Sequence, residues 1–271
     1  KAGGGLPSIT EQLTSLDPRL TGAVGPPGVW PLFCLIFLTS VAPLGMPQLV
    51  QKFYAIRDLR AIRIGMVAST CFAVLIGGVA YFVGSTARLF LSPENSPAAF
   101  ADGKPLFDAL MPELLARVVP ESLSVVMLLL ILSASMSTLA ALVLIASSSV
   151  VKDLFAGFVN RDADDASLTR LMRIASAGFV IVSVVLAYFR PASIVAVLGI
   201  SWGAIGAVFL GPFLWGLFTT WANRTGAVAG SVLGLATCLT LYALGHSSPE
   251  AGTLGMMVSL GVVPLASLLE R

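Results

Sequence analysis

The sequence LSVVMLLLILSASMSTLAALVLIASSSVV, from Leu123 to Val151, decides the fold class of this chain. It contains 29 consecutive residues without a charge. As an α-helix it would be about 43 Å long, more than the roughly 30 Å thickness of the hydrocarbon core of a bilayer. Four hydroxyl side chains fall within six residues near its middle, between Ser133 and Thr138. Hydroxyls at that depth either hold helices together or contact something that crosses the membrane.

The composition of the whole chain identifies an integral membrane protein. Of its 271 residues, 56% are hydrophobic and only 11% are charged, against about 25% charged residues in soluble domains. The net charge of +2 gives no reason to expect nucleic acid as a partner. The three cysteines lie far apart in apolar runs without CxxC spacing, so we interpret them as core residues.

The hydropathy pattern predicts seven membrane spans. They fall at about residues 28–50, 62–85, 122–151, 170–189, 192–218, 226–245 and 252–269. Pro31, Pro43, Gly45 and Pro47 interrupt the first span. Because proline removes a backbone donor and clashes with the preceding turn, we expect a kink or an unwound section near residues 41–47.

The connecting segments give an orientation. Residues 1–27 are predicted to be a loop, residues 106–119 an amphipathic surface helix, and residues 152–173 a solvated charged loop. Ten of the sixteen Lys and Arg residues fall, at higher density, on one side of the predicted spans, which we assign to the cytoplasm. The chain then starts outside the cell and ends inside. Because it opens on a loop, without Met or a signal peptide, it is interpreted as a C-terminal fragment.

No Lys, Arg, His, Asp or Glu lies within the predicted spans, away from their edges. Proton relays and membrane-embedded enzymes need such residues, so the sequence favours neither. An ion bound at this depth would have to be held by hydroxyl and backbone carbonyl oxygens. Hard alkali cations accept such ligands, whereas transition metals prefer imidazole or thiolate.

One face of the third span is a candidate cation site. Ala134, Ser137 and Thr138 stand at positions i, i+3 and i+4, so one carbonyl and two hydroxyls could face a small cation. A second interpretation is a packing seam through Ser133, Ser137 and Ala141, with hydroxyls bonded to carbonyls four residues earlier. The residue pattern alone favours the packing seam.

Two further segments are candidates for a substrate pathway. Residues 43–48, PLGMPQ, predict either a discontinuous helix at a transporter binding site or an ordinary proline kink. The glycine-rich residues 198–212 place Trp202 where it could form a flat wall for a substrate, or pack in a plain helix interface. The residues by themselves leave the first pair of alternatives open and slightly favour the plain helix interface in the second.

Three stretches carry a resemblance to a known family. They are GMPQLVQKF from Gly45 to Phe53, residues 133–154 with SASMSTL followed by SS and DL, and residues 197–230, where a helix ending in Gly-Pro precedes RTGAVAG. In order and spacing they resemble the sodium:solute symporter family, which includes sodium/proline, sodium/pantothenate and sodium/sugar transporters. The resemblance covers about residues 28–245.

The resemblance implies an all-α membrane protein with the LeuT-type fold, which is built from two inverted five-helix repeats. Residues 28–218 would form the second repeat, core helices six to ten, and residues 219–271 would add two helices. Residues 1–27 would be an extracellular loop, and the first repeat, an N-terminal half of the same polypeptide, would lie outside this chain.

The resemblance also implies functional residues. The family's sodium site lies between the first and eighth core helices, and its eighth-helix share falls on the Ala134 carbonyl and the hydroxyls of Ser137 and Thr138. The substrate pathway would follow the broken sixth helix and the tenth helix. Its residues here would be Ser40, Pro43, Gly45, Gln48 and Trp202. Several family members have an aromatic gate near the position of Pro43, and no aromatic residue stands between Ser40 and Gln48 here.

The expected function is therefore sodium-coupled import of a small organic solute across the plasma or inner membrane by alternating access. The solute would be an amino acid such as proline, or a carboxylate or pantothenate-like acid. The alternatives are a transporter-like sensor module of a signalling protein and a uniporter or channel without sodium coupling. The expected partners are Na⁺, the solute, the lipid bilayer and the missing N-terminal half.

Overall fold

The computed structural model describes residues 5–47, 49–50, 56–101, 104–189 and 192–270. Its α-helices are α1 (Leu6–Leu16), α2 (Val29–Val41), α3 (Leu59–Thr86), α4 (Phe107–Val118), α5 (Glu121–Ser148), α6 (Asp165–Phe189), α7 (Ile194–Phe218), α8 (Arg224–Ala243) and α9 (Ser248–Leu269). Short 3-10 turns lie at Pro18–Thr21, Ala42–Gly45, Ala87–Leu89 and Pro97–Ala99. Strands β1 (Phe100–Ala101) and β2 (Lys104–Pro105) form a small antiparallel ribbon.

Six helices of the described chain are long and apolar enough to cross a membrane. They are α3, α5 with its extension, α6, α7, α8 and α9, and each coincides with one predicted span. The first predicted span, residues 28–50, contains the shorter helix α2 followed by the turn Ala42–Gly45. The expected interruption near residues 41–47 is confirmed, while a seventh membrane crossing stays a prediction.

Helix α5 extends beyond the span predicted for it. It continues as a π-helix over Ser149–Val159, and α6 already begins at Asp165. The prediction of a loop over residues 152–173 was therefore wrong, because only residues 160–164 are non-helical. Charged side chains are costly in hydrocarbon but not in water, so they do not end a helix that leaves the bilayer. The Asp164 side chain accepts a hydrogen bond from the Ser167 N–H at 3.3 Å, as a helix cap does.

The segment predicted as a loop over residues 1–27 also contains regular structure. Helix α1 begins close to Pro7, a position where proline is tolerated because the first N–H groups of a helix have no intrahelical partner. Asp17 follows the helix and accepts the backbone N–H of Arg19 at 2.9 Å. Apart from Pro7 in its first turn, the glycines and prolines of this segment lie outside the helix, which is why the composition of residues 1–27 did not predict it. The extracellular location of the segment stays a prediction.

The surface helix predicted at residues 106–119 is present as α4, with Pro112 inside it. The side chain of Asp108, in its first turn, accepts a hydrogen bond from the backbone N–H of Ile194 at 3.2 Å. Ile194 is the first residue of α7, where N–H groups lack intrahelical partners. A carboxylate far away in the sequence therefore caps the start of α7.

Removing this cap should destabilise the start of α7. We expect Asp108→Ala to lower the free energy of unfolding by about 1 kcal/mol, a typical value for a lost N-cap acceptor. Asp108→Asn keeps an acceptor oxygen, so its free energy of unfolding should fall by less. Thermal unfolding of the full-length protein in detergent measures the difference, and equal losses for the two variants would contradict a capping role.

Contacts divide the chain into two compact units. Unit 1 comprises Lys1–Leu110 and Ile194–Arg271, and unit 2 comprises Met111–Ser193. In unit 1, helices α7, α8 and α9 pack together and α2 joins them. The buried core there consists of Leu38, Ala42, Met46, Ala207, Leu210, Cys238 and Met256. In unit 2, α5 packs against α6, and the hydroxyls of Ser147 and Ser176 are 2.8 Å apart.

Glycines allow α7 and α9 to approach closely. A Cβ atom built on Gly203 would lie 2.6 Å from the Cα of Gly252, and the reverse distance is also 2.6 Å. Carbon atoms in contact prefer about 3.5–4.0 Å, so neither position has room for a side chain. Because lipid removes the hydrophobic advantage of burying Leu against Leu, membrane helices gain stability from such close contacts.

Prolines within α7 and α9 free two backbone carbonyls, and neighbouring helices satisfy both. Pro212 removes the donor for the carbonyl of Val208, which accepts the Ser231 hydroxyl of α8 at 2.8 Å. Pro264 likewise removes the donor for the carbonyl of Leu260, which accepts the Trp215 indole N–H of α7 at 2.8 Å. In lipid an unsatisfied carbonyl is costly, so these bonds fix which helices are neighbours.

The bond from Trp215 can be tested with a double-mutant cycle. Trp215→Phe should lower the free energy of unfolding by about 1–2 kcal/mol, because the Leu260 carbonyl loses its donor. In a Pro264→Ala background the loss should be smaller, since alanine at that position supplies an intrahelical N–H to the same carbonyl. Unfolding of the four proteins in detergent gives the coupling energy, and an equal loss in both backgrounds would exclude the bond as its cause.

Candidate functional site

The hydroxyl cluster of α5 lies in unit 2. The Thr138 hydroxyl donates to the Ala134 carbonyl at 3.1 Å, so two of the three candidate cation ligands are in contact. Ser137 is exposed, and its hydroxyl bonds to no residue in the part of the chain that the structure describes. A threonine hydroxyl that donates to a carbonyl keeps both of its lone pairs. The face therefore presents two hydroxyl oxygens with free lone pairs, while the Ala134 carbonyl already accepts the Thr138 hydroxyl.

The structure also bears on the packing interpretation of this face. This interpretation predicts bonds from the Ser133 and Ser137 hydroxyls to carbonyls four residues earlier, and neither hydroxyl makes one in the described part of the chain. The Ser135 hydroxyl makes such a bond instead, donating to the Ile131 carbonyl at 2.8 Å. Residues 131–140 are also all exposed. No other helix of unit 2 covers Ser133, Ser137 or Ala141, so the small-residue seam has no partner within that unit. Intrahelical bonds therefore form at Ser135 and Thr138 rather than at the seam residues, and the packing seam stays a prediction.

The interrupted helix lies in unit 1 and is a full break rather than a bend. After the turn Ala42–Gly45, Met46 takes an extended conformation with φ −80° and ψ 116°. The helix resumes immediately, with the N–H groups of Leu49 and Val50 both donating to the Met46 carbonyl, at 3.0 and 3.1 Å. Neither Pro43 nor Pro47 has an N–H to offer. The helix is therefore interrupted at Met46, and a role of this break in a transporter binding site stays a prediction.

The break packs tightly on α7. A Cβ atom on Gly45 would lie 2.8 Å from both the N and the Cα atoms of Leu210. Ala42 and Met46 are fully or almost fully buried beside it. Gly45 is thus a close-contact position between two helices, whatever its place along a substrate pathway.

The other candidate pathway residues differ in exposure. Ser40 is exposed in the last turn of α2, Pro43 is half-buried, and Trp202 is half-buried against the core of unit 1. Gln48 lies outside the described residues. Gly45 and Trp202 therefore both adjoin one core, whereas the Ala134 face belongs to the other unit.

The glycines around Trp202 form a helix interface. Gly199, Gly203, Gly206 and Gly211 of α7 are all buried, and each faces a residue of α9. Those residues are Ser248, Gly252, Met256 and Ser259 respectively. The plain interface that the sequence left open is confirmed for the glycines, while a role for Trp202 towards a substrate stays a prediction.

A polar link between the ends of α2 and α9 was not expected from the sequence. The Trp30 indole N–H donates to one carboxylate oxygen of Glu250 at 3.0 Å, and Nδ1 of His246 lies 3.2 Å from the other. Deeper in the same pair of helices, the Thr253 hydroxyl donates to the Cys34 carbonyl at 3.0 Å. Hydropathy gives no signal for the bonds between α2 and α9, because Trp30 and Glu250, like Cys34 and Thr253, are more than 200 positions apart.

The membrane-length helices and the broken helix packed on α7 define a helical integral membrane protein. The sodium:solute symporter family matches residues 1–234. The chain therefore belongs to the sodium:solute symporter family, as its motifs indicated.

Several curated relatives are similar to this chain. It is 30% identical to the high-affinity proline transporter PutP of Bacillus subtilis over 247 residues, 87% of this chain and 48% of the relative. It is 25% identical to the sodium/pantothenate symporter of Haemophilus influenzae, over 89% of the chain and 49% of the relative. It is 26% identical to the sodium/proline symporter of Salmonella typhimurium, over 84% of the chain and 47% of the relative. The chain spans about half the length of these relatives, and no solved structure matches it.

Proposed function

We propose that this chain is the second-repeat half of a symporter that imports a small organic solute together with sodium. The observation that carries the proposal is the family match over residues 1–234. The named relatives are proline and pantothenate transporters, so an amino acid such as proline, or a carboxylate, is the proposed class of solute. Transport makes and breaks no covalent bond, so the proposed protein is not an enzyme.

In this proposal sodium is a co-transported substrate that binds the Ala134 carbonyl and the hydroxyls of Ser137 and Thr138. The exposed position of the Ser137 and Thr138 hydroxyls on α5 supports this assignment. The Thr138 hydroxyl can continue to donate to the Ala134 carbonyl while its own lone pairs face the ion. The remaining ligands would be carbonyls of a helix in the first repeat, outside residues 1–271.

The solute would bind beside the broken helix, near Ser40, Pro43, Gly45, Gln48 and Trp202. A break with freed backbone groups is typical of transporter binding sites. Sodium would favour the outward-open form that binds solute, and its release to the cytoplasm would follow inward opening. Coupling requires sodium to bind one state more tightly than the other, because equal affinities would shift no equilibrium.

Solute uptake into proteoliposomes tests this function. The full-length protein is reconstituted and offered labelled proline, other amino acids, carboxylates, pantothenate and sugars, with and without an inward sodium gradient. We expect accumulation above equilibrium of one solute class, only with the gradient. Uptake that merely equilibrates would indicate a uniporter or channel. Absence of sodium-dependent uptake across the panel would contradict the proposal and favour a sensor module.

A further inference from the structure

Helix α8 carries an open groove on its outer face. Its volume is about 600 Å³, and it is lined by Arg224, Thr225, Val228, Ala229, Val232 and Leu233. Ala229 is half-buried, whereas the other five residues are exposed. Ala229 therefore forms the floor, and the larger side chains around it form the walls. Most of the lining is apolar, with one cation at one end.

That cation, Arg224, has no ion-pair partner among the described residues. The neighbouring helix cap is already satisfied, because the Asn223 side chain accepts the Gly226 N–H at 2.8 Å. A guanidinium stays charged at every physiological pH and presents a planar set of donors that fits a phosphate. The charge at the end of the groove is thus available to an anion.

The charged end of the groove lies at the depth of lipid headgroups, and its apolar part lies at the depth of the acyl chains. Helix α8 has 20 residues, so it is about 30 Å long and matches the hydrocarbon core in length. Arg224 is its first residue and therefore lies near the level of the headgroups. At a rise of 1.5 Å per residue, Val228 lies about 6 Å deeper and Leu233 about 14 Å deeper. The apolar part of the groove thus runs alongside the acyl chains.

We propose that this groove binds a phospholipid with an anionic headgroup. The guanidinium of Arg224 contacts the phosphate, and one acyl chain lies over Ala229 between Val228, Val232 and Leu233. The arrangement of one cation above an apolar channel matches an anionic amphiphile in both charge and polarity. This site is separate from the sodium and solute residues and does not depend on their assignment.

Native mass spectrometry of the full-length protein in detergent tests the site. The protein is titrated with dioleoylphosphatidylglycerol and, separately, with dioleoylphosphatidylcholine. We expect Arg224→Gln to weaken phosphatidylglycerol binding about fivefold, the usual contribution of one basic residue at an anionic membrane surface. Phosphatidylcholine binding should not change, and Arg224→Lys should retain most of the preference.

Two further variants distinguish specific lipid binding in the groove from a general effect of surface charge. Ala229→Phe fills the floor of the groove without altering charge, and it should weaken binding of both lipids. Arg170→Gln removes an exposed cation from α6 and should leave both affinities unchanged. The proposal is overturned if Arg170→Gln weakens phosphatidylglycerol binding as much as Arg224→Gln. It is also overturned if Arg224→Gln has no effect, as when a protein segment covers the groove instead.

Discussion

Replacing Ser137 and Thr138 by alanine together should raise the sodium concentration for half-maximal solute uptake by about 100-fold. Each substitution removes one oxygen ligand from the cation, and a polar contact to a charged group contributes about 1.5–3 kcal/mol. Since 1.4 kcal/mol corresponds to a factor of ten, the two losses together give at least two orders of magnitude. At sodium concentrations that saturate the unmodified protein, uptake by the double variant should nearly vanish. Sodium titrations of initial uptake rates in proteoliposomes measure the change.

The same helix supplies matched controls. Ser135 stands one residue after Ala134, about 100° further around α5, and its hydroxyl is already bonded to the Ile131 carbonyl. Ser135→Ala should therefore leave the sodium dependence close to that of the unmodified protein. Thr138→Ser retains the oxygen and should lose far less affinity than Thr138→Ala. If Ser135→Ala raised the sodium requirement as much as the double variant, the cluster would have a packing role instead.

The sequence predicted the helices because the signal for a membrane span is strong and local. In a bilayer the charge-free run from Leu123 to Val151 could form little other than a helix, and it lies within α5 and the start of its π-helical extension. The ends were harder to predict, because hydropathy reports the edge of the hydrocarbon and not the end of the helix. Helix α5 continues to Val159 past Lys152 and Asp153 for this reason.

The candidate site was predicted in part. Helical spacing alone placed Ala134, Ser137 and Thr138 on one face, and the structure adds the bond between Thr138 and Ala134. The pairing of helices could not be obtained from hydropathy, because it depends on contacts between distant residues. One signal was nevertheless present in the sequence. Pro264 frees the carbonyl four residues before it, and a polar side chain from another helix was therefore to be expected there.

The second large effect concerns the contact between α7 and α9. Gly203→Val should unfold this part of unit 1 or lower its stability by 3 kcal/mol or more, seen as a fall in Tm or in the yield of folded protein. A Cβ atom at this position would stand 2.6 Å from the Cα and 3.4 Å from the N of Gly252, and the Sγ of Cys238 is 3.5 Å away. The obstacle is a backbone atom, which cannot rotate away as a side chain can. The helices must therefore separate, and overpacking a core typically costs about 1–3 kcal/mol even for smaller insertions.

Gly216→Val in the same helix is the matched control, because a Cβ atom there would meet nothing within 4 Å. Both variants place the same β-branched residue in α7, so intrinsic helix propensity cancels between them. We expect Gly216→Val to have a Tm within a few degrees of the unmodified protein. Gly203→Ala should be intermediate, since it adds the Cβ alone. Similar losses at residues 203 and 216 would show that glycine is needed in α7 for flexibility rather than for contact with α9. A loss confined to residue 203 would show that Gly203 and Gly252 set the distance between the two helices.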